Sequence, residues 1–260
     1  MENDKKTEYR APALEKGLDI LELLASTGEP QSKKQIAEKL NRSINEIFRM
    51  LSVLVDKQYI EFDNEFSVYY LSLKMFALSN QHPPIAQLLQ SARPLMEQLS
   101  VKLNQSCHLS RYQNGELIVI ARQESPYKMG FSLRLGVSLD ILASGSGIVL
   151  LSFMCSEKQN QILAHADINE QEQKELRTHI KSTLDKGYFI GASPQISGVT
   201  NISAPIFGIS GEVMATLTIP YMTLNSATVD HHIENIDNAC RELIEVTHKL
   251  SHNLIKTRSN

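Results

Sequence analysis

The stretch Ser32-Lys33-Lys34-Gln35-Ile36-Ala37-Glu38-Lys39-Leu40-Asn41-Arg42-Ser43-Ile44-Asn45-Glu46-Ile47-Phe48-Arg49-Met50-Leu51 decides how this chain is read. It carries the same helix-start signal twice. Ser32 with Gln35, and Ser43 with Glu46, each set a hydroxyl three residues ahead of an amide or carboxyl side chain. That is the reciprocal arrangement that satisfies the orphan amides of a helix N-terminus. The first signal predicts a short helix over residues 33–40, with Ile36, Ala37 and Leu40 inward. The second opens a helix whose inward stripe is Ile47, Met50, Leu51 and Leu54. Only Asn41-Arg42 remains for the turn, and two helices joined so tightly make a helix-turn-helix.

The flanks complete a winged module. Before the stretch, Leu14, Leu18, Leu21 and Leu24 recur at helical spacing, and Thr27-Gly28-Glu29-Pro30 ends that helix. After it, Tyr59-Ile60-Glu61-Phe62, the turn Asp63-Asn64-Glu65 and residues 66–71 read as a hairpin, then residues 72–78 as a connecting helix. Asn80-Gln81-His82-Pro83-Pro84 interrupts the pattern, because consecutive prolines cannot continue a helix or a ladder. The expected organisation is a flexible tail over 1–12, a winged helix-turn-helix over 13–79, a linker over 80–84 and a second domain over 85–260.

That second domain opens on a long helix marked by Ile85, Leu88, Ala92, Leu95, Leu99 and Leu103. A hairpin follows, with strands 107–112 and 117–122 about Asn114-Gly115, a pair suited to a type I′ turn. Further strands are expected over 129–135, 199–207 and 212–220, and helices over 147–154, 157–165 and 170–186. A closing helix over 229–256 repeats Ile233, Ile236, Cys240, Leu243, Thr247, Leu250 and Leu254 by threes and fours. Such mixed order predicts an α+β fold, an antiparallel sheet packed by helices.

At 260 residues the chain suits one small and one medium domain. No apolar run approaches the roughly 20 residues of a membrane span, and the polar N-terminus lacks a signal-peptide core, so a cytoplasmic protein without a membrane partner is expected. The 3 cysteines, Cys107, Cys155 and Cys240, lack C-x-x-C spacing and predict packed thiols rather than disulfides or structural zinc. A net charge of −3 offers no global basic field, so any positive charge meeting DNA must come from one face of one element.

The outer face of the third helix supplies such chemistry. Asn45 can pair with adenine and Arg49 with guanine through two hydrogen bonds each, while Lys33, Lys34, Arg42, Ser43 and Ser52 suit phosphates. The same residues would also make a plain solvated face; the complete helix-turn-helix-wing order favours DNA. Glu46 near the groove is better explained by its cap. In the second domain, Leu139-Asp140-Ile141-Leu142-Ala143-Ser144-Gly145-Ser146-Gly147 is a run of small residues entering an apolar helix. Its exposed amides would receive an anionic ligand, or its glycines would serve close helix packing.

These segments, from Ala13 to Leu254, resemble the isocitrate lyase regulator (IclR) family of bacterial transcription factors. The resemblance rests on Pro12-Ala13-Leu14-Glu15-Lys16-Gly17-Leu18-Asp19-Ile20-Leu21, Ile47-Phe48-Arg49-Met50-Leu51, Tyr69-Tyr70-Leu71, residues 139–147, Asp185-Lys186-Gly187-Tyr188, Gly198-Val199 and Ala204-Pro205-Ile206. It implies a GAF-like effector domain and dimers that commonly pair into tetramers. It also implies a pocket at Phe131, Leu139, Ser144, Gly145, Ser146, Val199, Asn201, Thr218 and Pro220, with carboxylate-binding members using the positions of Gly145 and Ser146. Departures are Asn201 where Cys is common, Gly191 where an acid is common, Leu142 and Ile148 where His and Lys are common, and an acidic wing tip. The pocket is thus less charged, and a hydroxylated, neutral-ended or aromatic acid suits it better than glyoxylate or pyruvate.

The expected function is a homo-oligomeric repressor or activator binding double-stranded operator DNA and controlled by a small organic acid, with no cofactor. The alternative is a redox or metal sensor using Cys107 and Cys155 on the same DNA-binding frame. Enzyme readings lack a motif: Gly145-Ser146-Gly147 is neither a nucleophile elbow, a P-loop nor a dinucleotide fingerprint. His231-His232 and Cys107-His108 are poor metal pairs, because neighbouring side chains diverge on a helix and point to opposite faces of a strand.

Overall fold

A computed structural model describes residues 11–81, 83–223 and 235–256. The chain divides into two units between Pro83 and Pro84. The first unit begins with α1 (Pro12–Thr27), which starts on a proline that needs no amide partner and ends where Gly28 turns left-handed at φ 65°. β1 (Gln31–Ser32), α2 (Lys33–Lys39), α3 (Ile44–Asp56), β2 (Ile60–Asp63), β3 (Val68–Leu71) and α4 (Lys74–Asn80) follow. Both capping boxes form: Ser32 accepts from the Gln35 amide and Ser43 from the Glu46 amide. Asn41 makes the helix-turn-helix turn at φ 50°, a conformation asparagine tolerates.

The core of this unit joins Ile20, Leu21 and Leu24 of α1, Ile36 and Ala37 of α2, and Ile47 and Leu51 of α3 to Ile60 and Tyr69 of the sheet. Two expectations change. Leu14 and Leu18, read as part of the buried stripe, are 63% and 49% exposed, because the small core is filled by the later turns of α1. The wing is three-stranded, ordered β1-β3-β2, since Gln31 and Ser32 pair with Tyr69 and Val68. Phe66 and Ser67 belong to its turn rather than to a strand.

The second unit opens on α5 (Pro83–Leu103). Within the 80–84 segment, expected as a linker, Asn80 is the last residue of α4 and Pro83 and Pro84 stand in the first turn of α5, where a proline fits because those amides need no helical partner. Then come β4 (Cys107–Gln113), β5 (Glu116–Gln123), β6 (Ser138–Leu139), α6 (Gly145–Phe153), α7 (Ser156–Ala164), α8 (Glu170–Lys186), β7 (Phe189–Ala192), β8 (Val199–Phe207), β9 (Val213–Met222) and α9 (Ile236–Lys256). The strands form a six-stranded antiparallel sheet ordered β6-β5-β4-β9-β8-β7. Asn114 and Gly115, at φ 53° and 92°, turn the β4–β5 hairpin.

Residues 129–135, expected as a strand, are irregular, and β6 and β7 were not foreseen. The closing helix is described from Ile236; its expected start at 229, Ile233 and the His231-His232 pair lie outside the described residues. One sheet face packs on α5 and α9 through Leu109, Ile202, Ala204, Leu217 and Ile219. Helices α6 and α8 share a second cluster with Phe189, built on Ile148, Val149, Leu151, Leu176 and Ile180. Polar side chains occupy the alternate positions of β4, β8 and β9, and these set the candidate site.

Candidate DNA-reading face and effector cavity

The two capping boxes orient α2 and α3, and burial of Ile47 and Leu51 fixes which side of α3 is outward. Asn45, Arg49 and Ser52 fall on that outward side, and all are exposed. Ser52 donates to the Phe48 carbonyl at 2.9 Å. Arg42 is exposed in the turn, Lys34 makes a solvent-exposed ion pair with Glu38 at 3.8 Å, and Lys33 lies over the Phe48 ring at 4.9 Å from its centroid. Phe48 itself is 50% exposed. Sequence reading passed over it, although its position one turn after Asn45 places it on the same face.

Glu46 is held away from any phosphate role. Lys16 donates to its Oε1 at 2.6 Å, and Ser43 donates its hydroxyl to Oε2 at 2.7 Å and its amide at 3.2 Å. These bonds, led by Lys16, hold the carboxyl down at about 2, so it remains a paired anion. The Ser43 hydroxyl is committed to the same cap. At the wing tip, Asp63 accepts the amides of Glu65 and Phe66 at 2.8 and 3.0 Å, which folds one of its two acids inward upon the turn.

A cavity, the candidate effector site, forms beneath the N-terminus of α6. Ser144 caps that helix by accepting the Gly147 amide at 3.1 Å, and Asp140 Oδ1 accepts the amides of Leu142 and Ala143 in the loop before it. The Gly145 and Ser146 amides, first in the helix, have no intrahelical acceptor. Ser146 Oγ meets Thr218 Oγ1 at 2.8 Å, and Thr218 donates to Ser203 Oγ at 2.8 Å, so a hydroxyl chain ties helix to sheet. Phe131, Leu139, Ser144, Gly145, Ser146, Asn201, Thr218 and Pro220 all line one cavity. Val199 is buried in β8 and does not line it.

This cavity is small, about 20 Å³, room for water rather than an organic acid. Beyond Phe189 lies a larger cleft of about 450 Å³ lined by Leu142, Ile148, Leu176, His179, Gly191 and Pro194. Three positions where the sequence departs from its relatives, Leu142, Ile148 and Gly191, therefore face the cleft and not the inner cavity. A β-carbon at Gly145 would stand 2.8 Å from Ser203 Oγ and 2.9 Å from Phe189 Cδ1, and one at Gly191 would stand 2.6 Å from Phe189 Cζ. Both glycines thus admit the Phe189 ring, so Gly145 also serves close packing.

Sequence reading missed His108, which lines the inner cavity and lies opposite Thr218 in register. Its signal was alternation: His108-x-Ser110, Asn201-x-Ser203 and Thr216-x-Thr218 place polar residues between core residues on three adjacent strands. Cys107 points into the core instead, where burial pushes its thiol up to about 12 and leaves it a poor nucleophile. Cys155 is exposed ahead of α7. Among the described residues no group of three potential ligands could hold a metal, and no helix is long and apolar enough to cross a membrane.

Two family models match the chain: the IclR helix-turn-helix domain over residues 13–64, and the bacterial transcriptional regulator IclR C-terminal domain over residues 84–251. The HTH-type transcriptional repressor AllR of Salmonella typhimurium and that of Escherichia coli K12 are each 23% identical over 215 residues, covering 80% of this chain and 79% of theirs. An IclR homologue from Microbacterium hydrocarbonoxydans, solved with 4-hydroxybenzoate, superposes with a TM-score of 0.79 at 18% identity, covering 95% of this chain and 100% of its own. The Thermotoga maritima IclR structure gives 0.73 at 19%, covering 93% and 98%. The chain belongs to the IclR family of bacterial DNA-binding transcriptional regulators, which are not enzymes.

Proposed function

We propose that this regulator reads its operator through the outer face of α3 and answers to a small organic acid, hydroxylated or aromatic, taken up beneath the N-terminus of α6. Asn45 and Arg49 read base edges in the major groove; Lys33, Lys34, Arg42 and Ser52 hold phosphates, and Ser43 contributes chiefly by capping α3. Because the wing tip is acidic, one domain makes few phosphate contacts, and the protein acts as a homo-oligomer with two reading helices on one operator. The AllR relatives are repressors by name, which favours repression here.

The observation that carries the effector reading is convergence: Ser144, Gly145, Ser146, Asn201 and Thr218, from three separate elements, meet at helix-terminal amides suited to a carboxylate. The 4-hydroxybenzoate of the Microbacterium homologue is a ligand of this class. A cavity of about 20 Å³ must widen to take it, so acid binding separates two conformations of the domain, and that differential affinity is what regulation requires. The test is a thermal-shift screen of organic acids on the full-length protein, followed by fluorescence anisotropy on an operator selected from random DNA. A stabilising acid should change operator affinity several-fold; acids without effect on either readout would overturn the reading.

A further inference from the structure

The cavity has an end away from the α6 amides, and its polar groups are left over from the fold. Across the middle of the sheet, His108 of β4 lies opposite Thr218 of β9, and Thr218 lies opposite Ser203 of β8; one step along, Ser110 lies opposite Thr216. Their neighbours Leu109, Leu217, Ala204 and Ile202 belong to the α5–α9 core on the other face. The polar set is nevertheless buried, His108 to 4% exposure and Ser110 and Thr216 completely. Thr218 and Ser203 are satisfied through Ser146. His108 Nδ1, Ser110 Oγ and Thr216 Oγ1 have no hydrogen-bond partner among the described residues. Buried polar groups are rarely left so in a native protein, and of these residues His108 lines the cavity.

Geometry gives the ligand its length. Gly145 packs against Ser203 and Asn201 of β8, whereas His108 stands on β4, two strands away, roughly 10 Å at the usual strand spacing. Phe131, Leu139 and Pro220 supply apolar walls for the cavity. We propose that His108 is the recognition group for the second end of the effector, and that it selects acids bearing an uncharged hydroxyl over the same acids without one. This rests on the cavity being the effector site. Burial holds the imidazole neutral near pH 7, so it offers the hydroxyl a hydrogen bond and not a charge. Cys107, on the opposite face, cannot join it around a metal.

The experiment titrates full-length protein with two matched pairs of acids: benzoate with 4-hydroxybenzoate, and 3-phenylpropionate with its 4-hydroxyphenyl analogue. Calorimetry is run on wild type, His108→Leu and His108→Asn, with circular dichroism confirming the fold. Wild type should bind the hydroxylated member of at least one pair ten-fold or more tightly. His108→Leu should bind both members equally, at the affinity wild type shows for the plain acid, and His108→Asn, which keeps a hydrogen-bonding atom near the Nδ1 position, should retain part of the preference. Acids bound without hydroxyl preference in wild type, or an undiminished preference in folded His108→Leu, overturn the inference and leave the organic-acid reading standing. No binding of any of the acids overturns both.

Discussion

The two surfaces proposed for recognition, the outer face of α3 and the cavity under α6, are built in opposite ways. On α3, one helix carries Asn45, Phe48, Arg49 and Ser52 outward, and the core beneath needs only Ile47 and Leu51 to fix the orientation. Under α6, residues from β4, β6, α6, β8, β9 and two loops enclose about 20 Å³, and removal of one side chain's space would change the whole arrangement. A partner as large as a duplex can be met by a rigid convex face. A small acid must be surrounded, so its site depends on tertiary packing and can answer by changing shape.

The sharpest way to break this contrast is to change a single heavy atom at each surface, adding a carbon under α6 and removing a hydroxyl on α3. A β-carbon at Gly147 would lie 2.2 Å from the Ile141 carbonyl oxygen and 2.6 Å from its Cα, contacts with backbone that no rotamer change relieves. Gly147→Ala should destabilise the second unit by about 3 kcal/mol or more, whereas Ser52→Ala on α3, with its exposed side chain, should stay within about 0.5 kcal/mol. Chemical denaturation of the two variants checks it; a Gly147→Ala protein as stable as wild type would show that the α6 entrance is loosely packed.

The next effect is electrostatic and belongs to the cavity alone. Burial lowers the His108 pKa from 6.5 to about 4, so between those values the unfolded chain takes up a proton that the folded protein refuses. Stability from this group is therefore complete above pH 6.5 and is lost as pH falls towards 4. The loss amounts to about 3 kcal/mol at its limit. No other residue lining the cavity ionises in that range. Urea unfolding of wild type and His108→Asn from pH 7.5 to 4 should show the wild-type slope flattened in the variant, and parallel slopes would deny the buried neutral imidazole.

The same contrast explains what could be read from the sequence. Features fixed by neighbours in the chain were legible: the Ser32–Gln35 and Ser43–Glu46 caps, the Asn114-Gly115 turn, α8 over Glu170–Lys186 and β8 over Val199–Phe207 all stand where local chemistry puts them. Features fixed by distant partners were not. β1 is two residues long and exists because β3 pairs with it, and β7, holding Gly191, is an edge strand set by β8. Residues 129–135 have strand-like composition but gain no ladder partner. For the cavity, most lining residues followed from family resemblance. His108 required knowing that β4 lies beside β9, 110 residues away between His108 and Thr218.

Returning to α3, Arg49→Ala should weaken operator binding by about 1 to 3 kcal/mol and relax discrimination at the guanine it reads. Its exposure predicts an unchanged fold, so the loss must appear in binding and not in melting. Anisotropy titrations against a selected operator and its single-base variants measure both. Equal losses on every sequence would convert Arg49 from a base reader into a phosphate contact.

The smallest expected effect tests whether the reading face is as chemically varied as its exposed residues suggest. Phe48, half exposed between Asn45 and Ser52, offers an apolar surface suited to the C5-methyl group of thymine, and Lys33 above its ring limits its movement and brings a positive charge towards the backbone. Replacing thymine by uracil in the selected half-site removes only that methyl. Wild-type affinity should then fall by about 0.8 kcal/mol at the contacted base, the worth of one buried carbon group, while Phe48→Ala should not distinguish the two bases. Phe48→Ala also frees Lys33, so its overall affinity will change for a separate reason. The four measurements must therefore be combined as a double-mutant cycle, in which the Lys33 effect cancels between the thymine and uracil operators. A vanishing coupling at every thymine would leave Phe48 as a support for Lys33 and confine base reading to Asn45 and Arg49.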